Sequence, residues 1–103
     1  MTNYYDKPSL SVTGSLASGG SVTVRVNANI EKTAIAVFPG ASATVGVQLS
    51  ISPLSEIETG TPNYTDWDAG DVTADTLRVI DGPVNAVKIT STGDTADYEL
   101  LGI

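Results

Sequence analysis

Apolar and polar residues alternate along most of this chain, in short runs broken by Gly, Pro, Asp and Ser. A period of two puts successive side chains on opposite faces of an extended strand. Ser21 to Ala28 is the clearest run: Val22, Val24 and Val26 face one way, Thr23, Arg25 and Asn27 the other. Thr33 to Phe38 sets Ile35 and Val37 on one face and stops at the turn pair Pro39-Gly40. Ala43 to Ile51 keeps Val45, Val47, Leu49 and Ile51 in phase and ends before Pro53, which cannot donate to a ladder. Thr76 to Ile80 is a short strand closed by Asp81-Gly82-Pro83. Val84 to Ser91 carries Val87 and Ile89 inward, and Ala96 to Leu101 carries Tyr98 and Leu100. Thr92-Gly93-Asp94 between these two reads as a hairpin connection. Ser9 to Leu16 is a weaker strand, turned by Ser18-Gly19-Gly20.

This pattern predicts an all-β chain: an antiparallel β-sandwich or jelly-roll-like domain of about seven to eight short strands. One domain over 1–103 fits the length. It carries an N-terminal arm over 1–8 and a long acidic and aromatic loop over 52–75. That loop contains Pro53, Gly60, Pro62 and Gly70, so no helix is expected there, only a short strand near Tyr64 to Trp67. Loops of this length in small domains usually serve a function or meet a partner.

Charge and residue content narrow the function. Five basic against twelve acidic residues give a net charge of −7, and Lys7, Arg25, Lys32, Arg78 and Lys88 are scattered singly. Phosphate binding needs clustered cations, so no nucleic-acid partner is expected. Charged residues are only 17% of the chain, which leaves a Thr-, Ser- and Gly-rich surface suited to association. No apolar run approaches the roughly 18 residues of a membrane span, and the N-terminus lacks the basic and apolar regions of a signal peptide. Synthesis in the cytoplasm, with no membrane partner, is the expectation.

There is no His and no Cys. A Ser-His-Asp triad, a Cys-His pair and a His-based metal site are therefore impossible, and carboxylates alone remain for acid–base chemistry. No catalytic residue and no cofactor is expected. Asp66, Asp68 and Asp71 suggest a calcium loop, since hard cations favour several close carboxylates. The spacing fits an EF-hand poorly: Gly70 comes one place early and Leu77 stands where the bidentate glutamate belongs. The same residues also suit a solvated turn. Trp67 and Tyr64 are either partner-binding anchors or a cap on the open end of the sandwich. Tyr4 and Tyr5 on the arm are partner-binding candidates, or part of a frayed end.

The second half of the chain, residues 43–103, resembles small virion proteins of tailed phages, of the capsid decoration or cement type and related head-fibre bases. The resemblance lies in Val45-Gly46-Val47-Gln48-Leu49-Ser50, then Asp66-Trp67-Asp68, Asp81-Gly82-Pro83-Val84, Ala86-Val87-Lys88-Ile89-Thr90, the Thr92-Gly93 turn and Leu100-Leu101-Gly102-Ile103. The chain departs from the family pattern at Ser52-Pro53-Leu54-Ser55-Glu56. The resemblance implies a structural virion protein on the outside of an icosahedral head, bound to the major capsid protein and to itself as a homotrimer. The alternative is a tail- or fibre-associated module that binds carbohydrate or receptor through Tyr64, Trp67 and the acidic loop, with calcium assisting.

Overall fold

Strands built on alternation need a second apolar surface to cover their inner faces, and two sheets packed face to face provide it. A computed structural model describes residues 10–26, 30–60 and 62–102. Eight strands form among the described residues: β1 Leu10–Leu16, β2 Ser21–Arg25, β3 Lys32–Pro39, β4 Thr44–Ser50, β5 Thr65–Asp66, β6 Thr76–Asp81, β7 Ala86–Thr92 and β8 Ala96–Gly102. A helix, α1, spans Leu54–Thr59.

The strands make two four-stranded antiparallel sheets, ordered β1-β8-β3-β6 and β2-β7-β4-β5. Of consecutive strands, only β4 and β5 are neighbours; every other connection crosses between sheets. This interleaving is the double Greek key of an eight-stranded jelly roll, which resolves the two architectures left open by the sequence.

It also corrects the expected hairpin at Thr92-Gly93-Asp94. β7 and β8 lie in different sheets, and that segment is a corner. Alternation fixes which side chains point inward, not which strand lies alongside. The corner clasps the neighbouring β3–β4 corner: Gly40 N donates to Thr95 O at 2.9 Å, and Ser42 N donates to Asp94 Oδ2 at 3.2 Å.

The core holds the residues that the alternation selects. Ile35, Val37, Val45, Val47, Val87, Ile89 and Leu100 are almost fully buried. Leu16, Val24, Val26, Ile30, Trp67, Ala96 and Tyr98 complete the cluster. Each such side chain contributes about 1.5–3 kcal/mol on burial, so this one interleaved core dominates stability. Ile51 breaks the pattern at 76% exposed, because β4 ends at Ser50.

Residues 52–60 and 62–75 hold more regular structure than the sequence suggested. Pro53 sits at the helix start with φ −55° and pre-sets the first turn; Glu56 places a negative charge near the helix N-terminus. Ile57 is buried. Gly60, with φ 82°, ends the helix in the left-handed region where glycine is favoured, and its N–H turns back to the last carbonyls. The segment then lies along β4. Trp67 N donates to Val47 O at 3.0 Å, and Val45 and Val72 exchange backbone bonds at 2.8 and 2.9 Å.

Candidate functional site

Trp67 is not an exposed anchor. It is 3% exposed within the core cluster, and its indole N–H donates to Gly70 O at 2.6 Å. The apolar ring fills the space beside β4, and the turn over 67–70 satisfies its one donor. Tyr64 is half-buried, with Lys88 Nζ 5.7 Å from its ring centroid. Tyr4 and Tyr5 lie outside the described residues.

The three loop carboxylates go separate ways. Asp66 accepts from Gln48 Nε2 at 3.2 Å, and Asp68 pairs with Arg78 Nε at 3.5 Å on the surface. Asp71 lies over Gly46, where a β-carbon would meet its Oδ1 at 2.8 Å. Among the described residues no three acidic side chains gather into a group that could hold a metal ion. Asp66 and Asp68 instead tie the loop to β4 and β6.

The most distinctive surface is the outer face of the β1-β8-β3-β6 sheet. The register aligns Ser11, Leu101, Ala34 and Val79 in one row across it. Thr13, Glu99, Ala36 and Leu77 form the next row, and Ser15, Asp97 and Phe38 the third. Leu77, Val79 and Leu101 are 60%, 58% and 57% exposed, and Phe38 is 37% exposed. Scattered exposed leucines need no explanation, but adjoining ones on a single sheet face mark an interaction surface.

Two shallow depressions run across this face. One, of about 300 Å³, is lined by Ser11, Thr13, Ala34, Ala36, Leu77, Glu99, Leu100 and Leu101. The other, of about 440 Å³, is lined by Thr13, Gly14, Ser15, Phe38, Asp97, Tyr98 and Glu99. They share Thr13 and Glu99, so they form one continuous surface. Asp97 accepts from Ser15 Oγ at 2.6 Å along its rim. The opposite sheet presents Thr23, Arg25, Thr44, Gln48, Lys88 and Thr90 outward and is polar. The two outer faces are therefore unlike: this one sets Leu77, Val79, Leu101 and Phe38 around the carboxylates of Asp97 and Glu99, and what its apolar part can do chemically is bury itself against a partner.

A signal for this face was present in the sequence. Ala34-Ile35-Ala36-Val37-Phe38, Leu100-Leu101 and Val79-Ile80 are apolar in both phases of the alternation. Such strands place apolar side chains on the outer face of a sheet as well as on the inner one.

No family model and no curated protein matches this chain. Solved structures do. An oxalate oxidase matches with TM-score 0.53 at 15% identity, over 91% of this chain and 41% of its own. The chain thus spans about two fifths of that protein. The Yersinia pseudotuberculosis-derived mitogen matches with TM-score 0.51 at 12% identity, over 93% of this chain and 85% of its own. The PBSX exported protein XepA aligns with TM-score 0.47 at 10% identity, over 99% of this chain and 39% of its own. Identities this low speak to fold alone, and one fold carries many unrelated functions. The chain shares its all-β fold with the oxalate oxidase and the mitogen.

Proposed function

We propose that this protein is a non-catalytic structural module that docks its apolar sheet face on a protein lattice. The lattice is the outer surface of an icosahedral phage head, where the protein acts as a decoration protein bridging capsid subunits. The observation that carries the docking is the exposed group of Leu77, Val79 and Leu101, in two adjoining rows with Ala36 and Ala34. The resemblance of residues 43–103 to capsid decoration proteins supports the choice of partner, and the absence of His and Cys supports a mechanical role.

Magnitudes shape the mechanism. Covering three half-exposed aliphatic side chains contributes about 1–2 kcal/mol each. That sum is at or below the roughly 4–15 kcal/mol lost when two bodies associate. A single face-to-face contact is therefore weak, and firm attachment requires several contacts engaged together. A lattice of identical subunits supplies them, and binding only the assembled state stabilises it by mass action.

The test is co-sedimentation with undecorated cognate shells. Saturable, stoichiometric binding and greater heat resistance of the shells are expected. Failure to co-sediment rules the proposal out.

A further inference from the structure

Each sheet leaves two edges, and an open edge strand is a template for another chain unless something blunts it. β5 is two residues long. β6 carries Arg78 and Asp81, and β2 is five residues long with Arg25 paired to Glu58 at 3.1 Å. β1 has none of these protections. It runs seven residues, Leu10-Ser11-Val12-Thr13-Gly14-Ser15-Leu16, without charge, proline or bulge, in unbroken register with β8. Among the described residues no strand pairs with its other side.

The sequence of β1 is nearly symmetric about Thr13. An antiparallel copy centred there sets Leu10 against Leu16, Ser11 against Ser15, Val12 against Gly14 and Thr13 against Thr13. Hydroxyl then meets hydroxyl on the outer side and apolar meets apolar on the inner side, the pairing that stabilises neighbouring strands. A slip of one residue sets leucine against serine and turns the partner's core face outward.

Burial points the same way. Leu10 and Val12 are only half-buried, whereas Leu100 and Ile35, facing the same core on β8 and β3, are 2% and 0% exposed. Val12 of a second copy would stand opposite Gly14, beside the Tyr98 ring that already covers that glycine. We infer that β1 pairs antiparallel with β1 of a second copy of this chain, about a two-fold axis through Thr13. Such an interface is isologous, so it closes at two copies. It joins two four-stranded sheets edge to edge into one, and it pairs two apolar faces in one body.

The chain has no cysteine, so single cysteines report the register cleanly. Residues directly opposite in an antiparallel pair have Cα atoms about 4.5–5.5 Å apart, within disulfide range. Ser11 and its own symmetry mate are four positions apart, roughly 13 Å along the strand, and out of range. On oxidation with diamide, Thr13→Cys is expected to form a covalent dimer in high yield. Ser11→Cys and Ser15→Cys are each expected to stay uncrosslinked alone and to crosslink when mixed. The unmodified chain is expected to sediment at twice its 10.6 kDa mass. A monomeric or trimeric mass overturns the inference. So does Thr13→Cys that stays uncrosslinked, or equal crosslinking by all three variants, which marks random collision.

Discussion

The phenol ring of Tyr98 lies across Gly14, its partner on the neighbouring strand, so closely that a β-carbon on Gly14 would run into the hydroxyl and meet Cζ at 2.7 Å. The glycine is a steric requirement of the ring. Gly14→Ala is expected to destabilise the fold by about 1–3 kcal/mol, the usual cost of overpacking. Because the hydroxyl is the nearest obstacle, the same substitution is expected to cost less in a Tyr98→Phe background. Urea unfolding of the four variants measures the coupling; a cost that is the same in both backgrounds contradicts the contact.

Thr33 is fully buried on β3, and its Oγ1 has no hydrogen-bond partner among the described residues. A buried unpaired hydroxyl costs about 1–3 kcal/mol, and an apolar group of similar shape removes that cost. Thr33→Val is expected to stabilise the protein by about 1 kcal/mol, raising the melting temperature by several degrees. Calorimetry checks this, and a lower melting temperature refutes it.

Asp94 holds two corners together. Its carboxylate accepts from Thr95 N at 2.8 Å and from Ser42 N at 3.2 Å, and these backbone donors hold its pKa below the usual aspartate value. A depressed carboxylate contributes stability above its unfolded pKa of about 3.9 and loses it as pH falls through the lower folded value. Asp94→Asn is therefore expected to lower the melting temperature at neutral pH. The gap to wild type is expected to close as pH falls from about 5 to well below 3.9. A gap independent of pH speaks against the assignment.

The alternating strands were legible in the sequence because inward positions recur every second residue, as Val45 and Val47 or Tyr98 and Leu100 do. Their pairing was not. Thr92-Gly93-Asp94 has the composition of a hairpin but turns a corner, since turn residues permit a reversal without choosing the sheet that receives it. Helix α1 was hidden by the Pro and Gly that bracket it, although Pro53 before a helix and Gly60 after one are boundary signals as much as breakers. Trp67 stayed open between a partner-binding anchor and a structural cap because it sits among Asp66, Asp68 and Asp71. Its burial depends on β4 lying beside the loop, a contact between distant parts of the chain. The apolar face was missed for a related reason: Leu77, Val79 and Leu101 become one surface only when β6, β3 and β8 are neighbours.

The central claim is that this face binds and does not merely cover a core. Leu77→Ser combined with Leu101→Ser removes about 2–4 kcal/mol of apolar burial from any complex. At exposed positions such changes usually shift stability by less than about 0.5 kcal/mol each. The direct measurement is a binding isotherm of this double variant and of wild type on undecorated shells, with melting recorded alongside. Binding weakened at least thirtyfold with the melting temperature nearly unchanged is the predicted result, whereas a variant that binds the shell as wild type does contradicts the account.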